Sequence, residues 1–223
     1  MHGIQRDARE YPACCEKRYG HGGTRREQGC FAKSKKVMAE PASLPQPDTG
    51  EERASMRIAI CPGSFDPVTR GHLNIIERGA QRFDRVIVLV MVNPAKTPCF
   101  SAGERADFLR RATAHIPNVQ VDVSTGLLAE YARKAGAATI IKGLRAVTDF
   151  EFEFQQALTN KKLNPELETM FVITDPEYMY LSSSMVRQVA GFGGDVTDFL
   201  PEGICEDVVK RLAGKAEQRS GTK

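Results

Sequence analysis

From Met56 onward the apolar positions fall into alternating short runs and helical stripes. Residues 57–61 form a brief apolar run that predicts a strand. Residues 73–83 predict a helix with Leu73, Ile76 and Ala80 on one face. Residues 86–92 are almost continuously apolar, the pattern of a strand buried on both faces of a parallel sheet. Ser101, with Glu104 three residues later, marks a helix start by capping box. A strand over 119–123, a helix over 127–134 and a strand over 138–141 follow. Residues 149–161 begin with the alternation FEFEF, which reads as strand. The continuation QQALTNKK consists of helix formers, and Phe150, Phe154 and Leu158 recur at spacing four, so the segment is assigned as helix. A strand over 169–174 and helices over 183–190 and 201–212 complete the series. Five strands joined by helical crossovers imply an α/β fold: a Rossmann-like, doubly wound parallel sheet with helices on both faces. The expected strand order is 3-2-1-4-5.

The first 55 residues carry neither rhythm. They contain a Gly-rich piece at 20–23, a basic piece at 33–36 and a Pro-rich stretch at 41–47, the composition of a disordered tail or linker. A secretory signal is excluded by the lack of an apolar core. Asp7, Glu10, Glu16 and Glu27 make the segment too acidic for a transit peptide. Two readings stay open: a tail without a catalytic role, or a translation start upstream of the true one, with Met38 and Met56 as alternatives. The expected organisation is an extension over 1–55, one domain over 56–215 and a flexible tail over 216–223.

Composition narrows the classes. A net charge of +3 gives no argument for nucleic acid. The longest apolar run is too short to cross a membrane. The cysteines, Cys14, Cys15, Cys30, Cys61, Cys99 and Cys205, include no CxxC pair, so neither zinc nor a redox motif is expected; free thiols in a reducing cytoplasm are.

The candidate chemistry lies where strands end. The first strand runs into GSFDPVTRGH at 63–72. Gly63, Asp66 and Pro67 form a tight exit, and Gly71 and His72 open a helix whose free N–H groups attract phosphate. The alternative is that Thr69 merely caps the helix and His72 is a partly exposed polar residue, which the strand–turn–helix context argues against. After the second strand comes NPAKTP, with Lys96 between two prolines. The fourth strand exits into KGLRAVTDFEFE, placing Lys142 and Arg145 around Gly143. With strands one and four adjacent, GSFDP and KGLR line one crevice at the point where the strand order reverses. Ser182, Ser183 and Ser184 stand at another helix start. Neither GxxxxGK(S/T) nor GxGxxG is present.

TRGH at 69–72 resembles the (H/T)xGH motif of nucleotidyltransferases. PGSFDPVTRGH, NPAKTP, KGLRAVTDFEFE and SSSMVR, in that order from Met56 to about Leu212, resemble the phosphopantetheine adenylyltransferase family. The resemblance implies transfer of AMP from ATP to 4′-phosphopantetheine, with magnesium carried mainly on the ATP phosphates and no dedicated protein metal site. It implies His72 as the catalytic residue that holds ATP and stabilises the transition state. Ser64 and Phe65 would touch ATP, with Ser64 also on the acceptor. Gly143, Leu144, Arg145 and Glu153 would contact ATP, and Tyr178, Met179, Tyr180, Leu181, Ser182, Ser183 and Ser184 would wrap it. Lys96, Leu128 and Lys142 would contact phosphopantetheine. Many relatives have Thr at the position of Ser64 and Arg at that of Lys142; the hydroxyl and the charge are kept, but bidentate binding is not. A homohexamer and feedback by coenzyme A are implied in the same way. The rival readings are an adenylyltransferase for another acceptor, such as nicotinate mononucleotide, and a noncatalytic nucleotide sensor.

Overall fold

The computed structural model describes residues 56–220, with side chains through Leu212. The proposed N-terminal extension, and residues 221–223 of the tail, lie outside the described residues. The strands are β1 (Ile58–Gly63), β2 (Arg85–Met91), β3 (Val119–Ser124), β4 (Thr139–Leu144) and β5 (Glu168–Ile173). The helices are α1 (Arg70–Ala80), α2 (Ala102–Ala112), α3 (Leu128–Ala135), α4 (Val147–Leu163), α5 (Ser183–Gly191) and α6 (Cys205–Ser220). The sheet is parallel, as the alternation of elements predicts, and its order is the expected β3-β2-β1-β4-β5.

The apolar run of β2 is continuous because each face of the strand meets its own core. Val86, Val88 and Val90 point into one cluster with Ala59, Ile76, Leu109, Val186 and Ile204. Ile87 and Leu89 point into the other, with Ile60, Ala129, Ala132, Ile140 and Leu167. This is the period-two geometry of a strand covered on both sides.

Four expectations change. The buried face of α1 is Ile75, Ile76 and Gly79, with Leu73 and Ala80 only half-buried. Helix phase decides this: a Cβ on Gly79 would sit 2.8 Å from Ile141, so α1 rests on β4 at that glycine. β4 extends to Leu144, which places Lys142 and Gly143 inside the strand rather than beyond it. The stripe on α4 exists, since Phe150 and Phe154 stack with ring centroids 5.5 Å apart, but α4 has no buried residue. Residues 216–220, expected in the tail, continue α6, and Ala216, Glu217, Gln218 and Arg219 are good helix formers.

The register locates the crevice. β1 and β2 pair along their whole length, from Ile58↔Arg85 to Gly63↔Val90. β1 and β4 share only Ala59↔Thr139 and Ile60↔Ile140 and then part. The strand order reverses between these two strands, so the opening lies at their carboxyl ends.

Candidate active site

The turn after β1 is set by its own residues. A Cβ on Gly63 would lie 2.9 Å from the Phe65 ring, so only glycine lets that ring fold back. Phe65 takes a φ of +48°, an αL conformation uncommon for a bulky side chain. Its ring is buried and meets the His72 ring edge-on, centroids 5.2 Å apart. Ser64 is exposed at the tip. With its ring buried, Phe65 presents its backbone at the turn.

α1 opens with a reciprocal cap. The His72 N–H donates to Thr69 Oγ1 at 3.4 Å, and the Thr69 N–H donates to His72 Nδ1 at 3.1 Å. The Thr69 hydroxyl lies 3.0 Å from the same ring nitrogen. A backbone N–H can only donate, so Nδ1 must accept, and the ring proton belongs on Nε2. Burial, then the Arg145 charge, push the imidazole down to about 4. At neutral pH it is an uncharged ring with one N–H to give.

The opposite wall comes from β4 and α4. Lys142 Nζ lies 3.0 Å from Glu153 Oε2. A Cβ on Gly143 would meet Ile75 at 2.8 Å, so the glycine lets β4 close on α1. Leu144 ends the strand half-buried, its carbonyl accepting from the Thr174 N–H at 2.9 Å. Arg145 grips Asp149 through Nε at 3.0 Å and Nη2 at 3.1 Å, and its Nη1 donates to the Leu181 carbonyl at 2.6 Å. Arg145 thus ties the fourth-strand motif to the segment 178–184.

That segment packs over the start of α1. Tyr178 lies where a Cβ on Gly71 would be 3.4 Å from it. Leu181 is buried, while Met179 and Tyr180 are exposed. Ser182 caps α5 by accepting from the Met185 N–H at 3.1 Å. Its hydroxyl lies 3.0 Å from that of Ser184, and Ser183 Oγ donates to the Pro67 carbonyl at 2.7 Å. Two further predicted residues follow β2 and β3, at the same carboxyl end of the sheet. Lys96 is exposed on a turn closed by its N–H on the Asn93 carbonyl at 3.1 Å. Leu128 is the first residue of α3, with its side chain in the second core cluster.

Asp66, expected only as a turn former, and two arginines not singled out in the sequence, Arg105 and Arg187, hold the turn together. Asp66, 8% exposed, accepts from the Cys99 and Phe100 N–H groups, each at 2.9 Å. Arg187 on α5 pairs with Asp66 Oδ2 at 3.4 Å and donates to its carbonyl. Arg105 on α2 donates from Nη1 to the Ser64 carbonyl at 2.7 Å. Asp66 reads in sequence as a turn former and the two arginines as helix-surface charges. Only the fold brings them together.

A parallel sheet with order 3-2-1-4-5, parted at the switch point, with a capped histidine on one wall and two cations on the other, defines a nucleotidyltransferase. Residues 60–189 match the cytidylyltransferase-like family. The fold is similar to that of a bifunctional NMN adenylyltransferase/ADP ribose pyrophosphatase from Francisella tularensis complexed with AMP and a manganese ion (16% identity, TM-score 0.56, covering 74% of this chain and 51% of that one). The sequence is 57% identical over 157 residues to phosphopantetheine adenylyltransferase of Caldanaerobacter subterraneus subsp. tengcongensis, covering 70% of this chain and 98% of that protein. It is 51% identical over 168 residues to the same enzyme of Heliobacterium modesticaldum, covering 74% and 100%. The chain belongs to the phosphopantetheine adenylyltransferase family.

Proposed function

We propose that this chain transfers the adenylyl group of ATP to 4′-phosphopantetheine, giving dephospho-coenzyme A and pyrophosphate, the penultimate step of coenzyme A biosynthesis. The observation that carries this reading is the Thr69–His72 cap opposite Arg145, in a chain 57% identical to a phosphopantetheine adenylyltransferase.

In the proposed reaction a phosphate oxygen of phosphopantetheine attacks the α-phosphorus of ATP in line. The new P–O bond forms as the bond to pyrophosphate breaks. The nucleophile is already an anion, so no general base is needed, and the protein positions and neutralises charge. His72 donates from Nε2 to the oxygens of the pentacovalent phosphorus and transfers no proton. Ser64, the Phe65 backbone and Gly143 to Arg145 hold the triphosphate; Tyr178 to Ser184 cover the nucleotide. Glu153 holds Lys142 in place, and Lys142 with Lys96 receives the acceptor phosphate. Leu128 takes its part from the α3 N-terminus.

Magnesium would offset charge on the triphosphate. The donor chemistry fits an ion carried by phosphate oxygens and water, because the nearby carboxylates are engaged: Asp66 by Cys99, Phe100 and Arg187, Asp149 by Arg145, and Glu153 by Lys142.

Coenzyme A, which joins both substrates' parts, is proposed as a feedback ligand of the same crevice. A homohexamer is proposed on the apolar surface that one copy leaves open: Phe152 is 60% and Ile173 71% exposed. Among the described residues no helix is long and apolar enough to cross a membrane, and a cytoplasmic location is proposed.

The test is incubation of the chain with ATP, Mg²⁺ and phosphopantetheine, with dephospho-coenzyme A as the expected product. Pyrophosphate release with nicotinate mononucleotide instead would reassign the acceptor. ATP binding without release from any acceptor would leave a sensor.

A further inference from the structure

Arg105 is a buried charge with an unusual set of partners. Its side chain belongs to a residue 3% exposed. Its guanidinium donates to two carbonyls, that of Ser64 from Nη1 at 2.7 Å and that of Ser101 from Nε at 3.4 Å. Among the described residues it forms no ion pair. Burying a cation without a counter-charge is costly, and a ligand that brings negative charge to the neighbourhood offsets that cost.

The Ser64 carbonyl shares its peptide group with the Phe65 N–H. That peptide is trans, the cis bond in this turn being Asp66–Pro67. In a planar trans peptide the carbonyl and the N–H point in opposite directions. With the carbonyl turned inward onto Arg105, the N–H is turned outward beside the exposed Ser64. No group among the described residues accepts it. The buried Phe65 ring and its φ of +48° fix the peptide from the other side.

We propose that Arg105 is a positioning residue that acts through the Ser64–Phe65 peptide, aiming and polarising the Phe65 N–H as a donor to a phosphate oxygen of bound ATP. A hydrogen bond from a charged donor is stronger than a neutral one, and bonds in series polarise one another. Arg105 thereby delivers part of a positive charge to the crevice without entering it. The inference rests on the nucleotide reading of the crevice.

The sequence allows a direct test, because Ser64–Phe65 is the one Ser–Phe step in the chain. Labelling the full chain with carbonyl-¹³C serine and ¹⁵N phenylalanine isolates that single peptide by NMR. On saturation with Mg-ATP its amide proton is expected to move downfield, and in Arg105→Gln the movement falls by about half or more. Turnover of Arg105→Gln is expected to drop about tenfold, with KM for phosphopantetheine within about twofold of wild type. Arg105→Lys, which keeps the charge, restores most of the turnover. An amide unmoved by bound ATP in the wild-type chain overturns the proposal, as does an Arg105→Gln enzyme with normal turnover. If Arg105→Gln does not fold, the wild-type amide and Arg105→Lys decide. A chain in which ATP perturbs no resonance and is not bound refutes the nucleotide reading instead.

Discussion

The ammonium of Lys142, on β4, faces the carboxylate of Glu153, on α4, across 3.0 Å, and the two side chains are 15% and 20% exposed. One strand end and one helix are thus joined by a largely desolvated pair. Removing either partner leaves the other charge poorly compensated. Glu153→Gln is expected to lower stability by about 1–3 kcal/mol in urea melts. Lys142→Met combined with Glu153→Gln should cost less than the two single losses added. Strict additivity would show that the pair is not coupled.

His72 is expected to act as a neutral donor. His72→Ala should lower turnover by about 10²–10³ while ATP affinity falls less, because the bond is strongest at the charged transition state. Comparing kcat with the Kd for ATP checks this; equal losses would mean ordinary ground-state binding.

The same residue ties stability to pH. The folded imidazole titrates at about 4 and the unfolded one at 6.5, so between these values the unfolded chain binds more protons. The stabilising difference is fully present above pH 6.5 and is lost as pH falls towards 4. From pH 7.5 to pH 5 this amounts to about 2 kcal/mol. Urea melts at the two pH values should show a smaller drop for His72→Gln than for wild type.

Asp66 is expected to govern the acceptor loop. Its carboxylate fixes the N–H groups of Cys99 and Phe100, just beyond Lys96. Asp66→Ala frees that loop and leaves two backbone donors unpaired. KM for phosphopantetheine should rise about tenfold or more; an unchanged KM would show that Lys96 does not depend on this anchor.

Gly143→Ala is a packing test. The added methyl would lie 2.8 Å from Ile75 Cγ1, and overpacking of this kind costs about 1–3 kcal/mol. Ile75→Ala in the same chain should recover part of that loss in thermal melts.

Much of the scaffold was readable because local rhythm and tertiary demand agree. The run in β2 satisfies two cores at once, and Ser101 with Glu104 closes a capping box of the expected kind. Thr69 and His72 were visible as a helix opening, although the histidine fills the place usually taken by Glu or Gln in the box. The stripe on α4 was visible too, but periodicity names an apolar face without saying what covers it, and none of the described residues buries α4. What Asp66, Arg105 and Arg187 hold was illegible for another reason. Their partners are distant in sequence, and an arginine whose bonds go to backbone carbonyls leaves no complementary residue type to find.

Where β1 and β4 separate beyond Ile60 and Ile140, the two strands stop spending their peptide groups on each other. A sheet paired along its other seams is open there, at the carboxyl ends of β1 and β4. If the proposed function holds, the sheet's own switch point, and not an added loop, is what makes room for the substrate.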